Sequence, residues 1–315
     1  MLENLKVSMN AVAPMFLIIA LGYYIRYRGW VAEKELDRFN NLAFRIFLPC
    51  QLFMNMTDSD IKTAMNLKLM AFTIICVVLV YFLAFASVLL VEKTAARRGV
   101  MIQAIFRSNF VLLGIPLVSA IYNGKDMGMV PVMIAVIVPL FNVLAVVTLE
   151  LFRNSVANLK DILRGIVTNP LILGSVLGLL MKALPISFYK LPVLPTTIGY
   201  LGQIATPLML FILGASFRFS SVSATKKQII YCCVGKLLIS PAIVFFLAGI
   251  IGLHGMEIAI LLGAFASPPA ANSYNMARQM GGDADLAANL VVIGTIVSCV
   301  TLFLWIFLLQ QIHML

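Results

Sequence analysis

The chain has 315 residues, of which 62% are hydrophobic and only 11% are charged. Its mean hydropathy is +1.01, and a soluble fold of this size cannot bury so much apolar surface. The composition therefore excludes soluble catalytic, nucleotide-binding and DNA-binding domains and predicts an all-α integral membrane protein. A membrane-spanning helix uses about 20 apolar residues, so ten such helices account for nearly all of the apolar content.

The hydropathy pattern predicts ten transmembrane spans joined by short loops. The first is interpreted as a retained helix rather than a signal peptide, because no small-residue cleavage site follows it. A short polar linker at 153–161 separates two predicted five-helix units, residues 1–152 and 153–315. In chain order the spans are 5–26, 36–56, 67–91, 98–122, 127–152, 162–183, 195–217, 229–252, 256–279 and 286–309.

The formal net charge of +10 predicts the orientation of these spans rather than a nucleic-acid partner. Lys and Arg collect in cytoplasmic loops, near the anionic lipid surface. The loops after odd-numbered spans carry more than twice as many Lys and Arg residues as the remaining loops and termini. We therefore expect a multi-pass protein of the cell membrane, plasma or inner, with both termini outside.

Prolines indicate that the two units are an inverted repeat. In each unit a proline falls in the first, second and fourth span, and the members of each pair are separated by roughly half the chain. Five is an odd number of spans, so the second unit enters the membrane from the opposite side, an arrangement found in many secondary transporters. The pairs are Pro14 with Pro170, Pro49 with Pro207, and Pro116 with Pro268.

The fourth span of each unit is predicted to break near the middle of the membrane. Gly114 and Pro116 weaken the first, and the Pro268–Pro269 pair removes two consecutive backbone donors from the second. Broken backbone is tolerated at that depth only inside protein or beside a cavity. Two breaks that cross would bring together two half-helix N-termini, whose free N–H groups and dipoles attract an anion.

Three stretches of the chain resemble the auxin efflux carrier family, including its bacterial malonate or malate carriers. They are Asn40–Pro49, Ser108–Leu117, and Pro268–Ser273 continuing to Gly294–Ser298. The resemblance covers nearly the whole chain and implies a fold related to bile-acid:sodium symporters. It also implies a scaffold of spans 1, 2, 6 and 7, a transport domain of spans 3–5 and 8–10, and a homodimer formed through the scaffold.

The resemblance further implies that a substrate carboxylate binds where spans four and nine cross, held in part by an Asn that Asn109 matches. The long cytoplasmic loop of the plant members is missing here, so their phosphorylation control is not carried over. The leading prediction is a secondary transporter of a small organic anion. The predicted substrate-binding residues are Asn109, Gly114, Ile115, Pro116, Leu117, Pro268, Pro269, Ala270, Asn272 and Ser273.

Three basic residues lie within predicted spans, where a charge is costly unless it faces protein or water. Arg45 and Arg107 either attract the anion, form a structural pair, for example with Glu150, or extend toward the inner membrane surface. Lys236 is closer to the start of its span and is expected to reach the membrane surface. No Asp lies in the middle of a span, so a buried carboxylate relay for protons is not predicted.

The remaining polar residues leave several alternatives open. Asn41, Gln51, Gln203 and Asn142 either line the passage or form hydrogen bonds between helices. Asn272, Ser273 and Gln279 are candidates for cation coupling, and the coupling ion, Na⁺ or H⁺, is left open. No cofactor, metal site or nucleic-acid partner is expected, and Asp283 and Asp285 are interpreted as the start of a helix. The alternative function is a ligand-binding sensor or channel-like module of the same fold.

Enzyme and pump functions are not predicted. The chain lacks the HExxH and DDxxD motifs and a phosphate-binding Gly-Lys-Ser/Thr loop. The five cysteines lie in apolar runs without a CxxC spacing and are interpreted as small packing residues.

Overall fold

The computed structural model describes residues 14, 17–58, 66–114, 117–118, 121–122, 129–153, 168–183, 188–190, 192–217 and 219–315. Within these ranges the chain is helical or connects helices, and it contains no strand. Residues 5–13 of the first predicted span, Ile115, Pro116 and residues 154–161 of the linker lie outside the described residues.

The described residues of the first half of the chain form six helical elements. The second of them contains a π-helical turn, and a gap in the helix separates the fourth from the fifth. They are α1 (Leu17–Tyr27), α2 (Glu33–Leu42, the π turn Ala43–Phe47 and Leu48–Asp58), α3 (Leu67–Val91), α4 (Ala95–Phe106), α5 (the π-helical Phe110–Gly114) and α6 (Met129–Arg153).

The second half contributes seven more elements and a short 3₁₀ turn at Phe188–Lys190. They are α7 (Pro170–Ala183), α8 (Leu194–Ser216), α9 (Phe219–Ala224), α10 (Lys226–Val234, the π turn Gly235–Ile239 and Ser240–Ile251), α11 (Met256–Leu261 and the π turn Leu262–Ala266), α12 (Asn272–Gln279) and α13 (Ala284–Gln311).

Five of these helices are long and apolar enough to cross a membrane: α3, Val132–Arg153 within α6, α8, α10 and α13. Large apolar side chains also remain exposed on their outer faces, such as Leu90, Phe246 and Val300. A soluble protein rarely leaves so much apolar surface in water, whereas lipid covers it without cost. The structure thus confirms an all-helical, membrane-type protein. The count of ten spans and the inverted repeat stay predictions.

A π-helical turn precedes a proline in both α2 and α10. Pro49 and Pro241 each lack a backbone N–H, and each ring conflicts with the carbonyl four residues earlier. In α10 that carbonyl belongs to Leu237, and the Trp305 indole N–H donates to it at 2.8 Å. The proline therefore frees a buried acceptor, and a side chain from α13 satisfies it.

Glycines bring α1, α2, α7 and α8 into close contact. A Cβ added to Gly214 would lie 1.9 Å from the Ile19 carbonyl oxygen, and one on Gly174 would lie 2.6 Å from that of Pro49. Gly202 also lies close to α2, because a Cβ added there would be 3.0 Å from Gln51 Cα. Small residues allow membrane helices to approach closely, so these four helices form one tightly packed group, named here the glycine-packed group.

The other helices pack around α4, α6 and α13. Gly99 of α4 faces Leu149 of α6, with an added Cβ only 3.3 Å from the Leu149 side chain. Asp283 accepts a hydrogen bond from the Leu286 N–H at 2.9 Å and begins α13. This contact confirms the predicted helix cap. Asp283 also pairs with Arg97 at 3.0 Å, which ties α13 to the start of α4.

Candidate functional site

Two interrupted helices cross inside the protein. The helical backbone of α4 ends at Phe106 and becomes extended at Arg107, and that of α11 ends at Ala266 and becomes extended at Ser267. The Asn109 backbone N–H donates to the Pro268 carbonyl at 2.9 Å. The two breaks are therefore joined directly by a hydrogen bond between main chains.

The structure corrects the position of the first break. Sequence reasoning placed it at Gly114 and Pro116, but the helix already ends at Phe106, about two turns earlier. Gly114 has a different role, because a Cβ there would lie 3.0 Å from Gly263 Cα. The two helices thus cross glycine against glycine, and Gly263 was not singled out from the sequence.

Two of the backbone donors at the crossing are already used within the protein. The sequence led us to expect free N–H groups at both half-helix N-termini. The Asn109 N–H is used by Pro268, and the Ser273 N–H donates to the Ala270 carbonyl at 2.9 Å. These two N–H groups are therefore not the ones that a ligand would meet, and side chains supply further donors at the crossing.

A cavity of about 60 Å³ lies at the crossing, between the broken segments and the glycine-packed group. Among the described residues its wall contains one charged side chain, that of Arg107, and no Asp or Glu. The wall consists of Gln51, Leu52, Asn55, Arg107, Ser108, Asn109, Phe110, Val111, Val138, Phe141, Asn142, Thr206, Met209, Ala270, Ala271 and Asn272.

Arg107 places an unneutralised positive charge beside this cavity. Its side chain is buried and donates to Asn142 Oδ1 at 2.6 Å and to Gln103 Oε1 at 3.2 Å. It also contacts the Met276 sulfur. No carboxylate of the described residues lies within 4.0 Å of its guanidinium, and Glu150 pairs with Arg153 instead. A buried charge held only by neutral groups is costly, so an anion that enters the cavity is strongly favoured.

Three polar atoms at the cavity wall are buried and have no partner among the described residues. They are the side-chain nitrogens of Asn109 and Asn142 and the side-chain oxygen of Asn272. Buried polar groups are normally paired, so orphaned groups beside a cavity indicate a missing ligand or water. Two donors beside a guanidinium match the oxygens of a carboxylate.

Other predicted site residues lie near the crossing but outside the cavity. Leu117 is buried, and the Ser273 carbonyl accepts a hydrogen bond from Gln103. Pro269 packs against Gly294, where an added Cβ would lie 2.8 Å from the proline ring. Ile115 and Pro116 lie outside the described residues.

The predicted passage residues divide between two places. Gln51 reaches the cavity and donates to Thr206 at 2.8 Å, which links α2 to α8. Gln203 is exposed in a separate open cleft beside Gln51, and Asn41 is exposed at the surface. Asn55 and Thr206 line the cavity but carried no motif that sequence reasoning could use.

Arg45 and Gln279 lie in a different, larger cavity of about 510 Å³ that also contains Glu150 and Arg153. Arg45 is exposed there and does not contact the crossing. The structure also corrects the expectation for Lys236, whose side chain is fully buried rather than extended to the membrane surface.

In the described part of the chain, no three His, Cys, Asp or Glu side chains form a cluster. Its cysteines are free thiols within the helices. The polar groups of the crossing are therefore amides, hydroxyls and one guanidinium, which bind ligands by hydrogen bonds and charge.

An apolar helical protein whose outer faces expose large apolar side chains, with an internal cavity at the crossing of two interrupted helices, belongs to the class of membrane proteins. Comparison with known proteins identifies the class further: the chain belongs to the family described as "Membrane transport protein", which matches residues 7–306. This match confirms the resemblance to the auxin efflux carrier family at the level of the family.

Two archaeal relatives match over nearly their whole lengths. Both are named uncharacterized transporters, one from Methanocaldococcus jannaschii and one from Methanothermobacter thermautotrophicus. Each is 22% identical over 311 residues, which cover 95% of this chain and 98% and 97% of the respective relatives. The protein is therefore a membrane transporter and not an enzyme.

Proposed function

We propose that this transporter carries a small organic anion, a carboxylate, and that the cavity at the helix crossing is its binding site. The observation that supports this most directly is the Arg107 guanidinium, which is buried at the cavity wall without a carboxylate partner. The absence of Asp and Glu from the described wall residues argues against an organic cation.

The donors at the wall suit a carboxylate. The guanidinium can donate to one or both oxygens, and the Asn109 and Asn142 side-chain nitrogens supply two more N–H donors. Asn109 is the residue that the family resemblance assigned to this role. The unpartnered Asn272 oxygen is an acceptor and suits a hydroxyl or a protonated acid group on the same substrate.

The size of the cavity favours a short acid. A cavity needs roughly 10–15 Å³ of accessible volume for each buried water. The volume of about 60 Å³ at the crossing therefore corresponds to a few waters. A compact aliphatic acid such as malonate fits this space better than an indole-type acid, which would require the walls to move apart.

Alternating access is the mechanism that the packing supports. The glycine-packed group corresponds to spans 1, 2, 6 and 7, the scaffold implied by the family resemblance. The cavity lies between this group and the crossing, so movement of the crossing helices along it would expose the ligand to each side in turn. The same scaffold is the surface through which we propose that a homodimer forms.

The test is counterflow of radiolabelled malonate, with malate and indole-3-acetate as competitors, in proteoliposomes containing purified protein. Arg107→Gln removes the charge but keeps a polar side chain. A lost charge-assisted hydrogen bond is worth about 1.5–3 kcal/mol, so the apparent affinity should fall by about ten- to a hundredfold. Arg98→Gln, at the other end of α4, is the matched control and should exchange like the wild type.

Each failure has a separate meaning. Wild-type exchange in Arg107→Gln would reject the crossing as the anion site. Exchange of organic cations instead of acids would reject the substrate class. Malonate that raises the thermal stability of the protein but is never exchanged would favour the alternative, a ligand-binding sensor of the same fold.

A further inference from the structure

A second basic residue is buried in the protein without a partner. Lys236 has 0% of its side chain exposed, and its Nζ forms no hydrogen bond with any described residue. It lies in the π-helical turn of α10, a distortion of the kind that is frequent at functional sites. The Ser240 hydroxyl, four residues further along, is also buried and unpartnered.

No acidic side chain of the described residues pairs with Lys236. Its turn packs against α4, the π turn of α11, and α13, and the only Asp or Glu on these elements is Asp285. The hydrogen bond between Asn289 and Thr225 brings the start of α13 beside the start of α10. Lys236 lies about three turns further along α10, so Asp285 is roughly 20 Å from Lys236 along the helix axis. The other titratable groups on these elements and on α10 itself are Arg97, Arg98, Lys226, Lys227, Tyr231, Cys232, Cys233 and Cys299.

An ammonium group in this position is costly, but a neutral amine is not. A buried charge without a counter-ion carries a desolvation penalty of several kcal/mol, so Lys236 holds a proton readily only in a conformation that admits water or a negative charge. Because the side chain has no exposed surface and its Nζ has no hydrogen-bond partner among the described residues, neither water nor a proton reaches it without movement of the surrounding helices.

Lys236 is connected to the crossing through two packed helical turns. Its π turn packs against the π turn Leu262–Ala266 of α11, which contains Gly263 and ends directly before the break at Ser267. Gly263 in turn contacts Gly114 at the crossing. A change of charge and hydration at Lys236 therefore acts on the same broken helix that forms the ligand cavity.

We propose that Lys236 is the proton-binding site of the carrier and that one proton moves with each anion. The amine takes up the proton to become an ammonium on the side from which the anion enters, and it releases the same proton on the other side. A positive charge within the same group of helices strengthens binding of an anion, and by linkage the bound anion strengthens binding of the proton. This inference rests on the proposed anion transport and names its coupling ion.

The transport test compares Lys236→Met with the wild type and with Lys227→Met, an exposed lysine on the same helix. Proteoliposomes receive radiolabelled malonate under an inward proton gradient, with the membrane potential clamped at zero. The wild type and Lys227→Met should accumulate malonate by about tenfold per pH unit, as expected for one proton per anion. Lys236→Met should exchange malonate in counterflow but show no accumulation.

A second measurement does not depend on the substrate. If Lys236 is neutral in the folded protein, it takes up a proton when the protein unfolds. The free energy of unfolding of the wild type therefore increases with pH relative to that of Lys236→Met. The Tm of the wild type minus that of Lys236→Met should then increase by about 2–4 °C per pH unit between about pH 8 and about pH 10. The same difference for Lys227→Met should not depend on pH.

The outcomes separate the two proposals. Gradient-driven accumulation by Lys236→Met that equals the wild type would overturn the role of Lys236 and leave anion transport intact. Wild-type protein that exchanges no malonate would reject the proposed substrate, and the Tm measurement then decides alone. A Tm difference that does not change with pH would overturn the proton site.

Discussion

Arg278 joins the two groups of helices, and its removal should loosen one end of the ligand pathway. From α12 its guanidinium pairs with Asp37 of α2 at 2.5 Å and donates to the Ser216 hydroxyl of α8 at 3.3 Å. It also donates to the Tyr274 hydroxyl on its own helix. The orientation predicted from the positive-inside rule puts these residues on the cytoplasmic side, so we expect Arg278→Gln to favour the conformation open to the cytoplasm.

The size of this effect follows from the exposure of the partners. The Asp37 side chain is 56% exposed and that of Arg278 is 18% exposed, so water weakens the ion pair to about 0.5–1 kcal/mol. The Ser216 hydrogen bond adds about 0.5–1.5 kcal/mol. A combined loss of about one to two kcal/mol shifts a two-state equilibrium by a factor of about 5–30.

Cysteine accessibility measures this shift. In a background with the five native cysteines replaced by Ala, Met209→Cys places a thiol at the cavity wall, on the part of α8 that leads to Ser216. Membrane-impermeant maleimide applied to the cytoplasmic face should label it at least about fivefold faster when Arg278 is Gln. Arg26→Gln, which removes a pair with Glu33 inside the glycine-packed group, is the control. Unchanged labelling with Arg278→Gln, or an equal rise with Arg26→Gln, would refute the reasoning.

Three further predictions concern the crossing and its support. Asn109→Ala should reduce malonate exchange by about tenfold without lowering the Tm, since it removes an unpartnered donor; unchanged exchange would contradict this. Replacing Pro268 and Pro269 together by Ala should restore helix and abolish exchange, and full activity would exclude the break from the mechanism. Trp305→Phe leaves the buried Leu237 carbonyl without its donor and should cost about 1–3 kcal/mol of stability, measured by thermal unfolding in detergent.

Much of the fold could be predicted because the formation of a membrane helix depends mainly on its own sequence. The predicted span 67–91 coincides with the observed helix Leu67–Val91, since a long apolar run needs no distant partner to become a helix in lipid. The double proline was placed correctly at the break before Asn272. Asp283 was also predicted correctly as a cap, because a cap depends only on the next few residues.

The break before Asn109 was predicted too late because its cause is not local. Nothing between Phe106 and Asn109 forbids a helix, and the segment is extended where the Asn109 N–H meets the Pro268 carbonyl from another part of the chain. Proline and glycine mark where a helix is weak, but a partner from another helix decides where it opens.

The sequence by itself determined the apolar helices and the two spans that would break, because these depend on composition and on neighbouring residues. Only the tertiary structure decided what each buried charge does. Arg107 and Lys236 both lie within predicted apolar spans, yet one lines the cavity at the crossing and the other has no partner among the described residues. The difference arises because the free energy of a charge in a membrane protein depends on the groups within a few ångströms, which different helices supply.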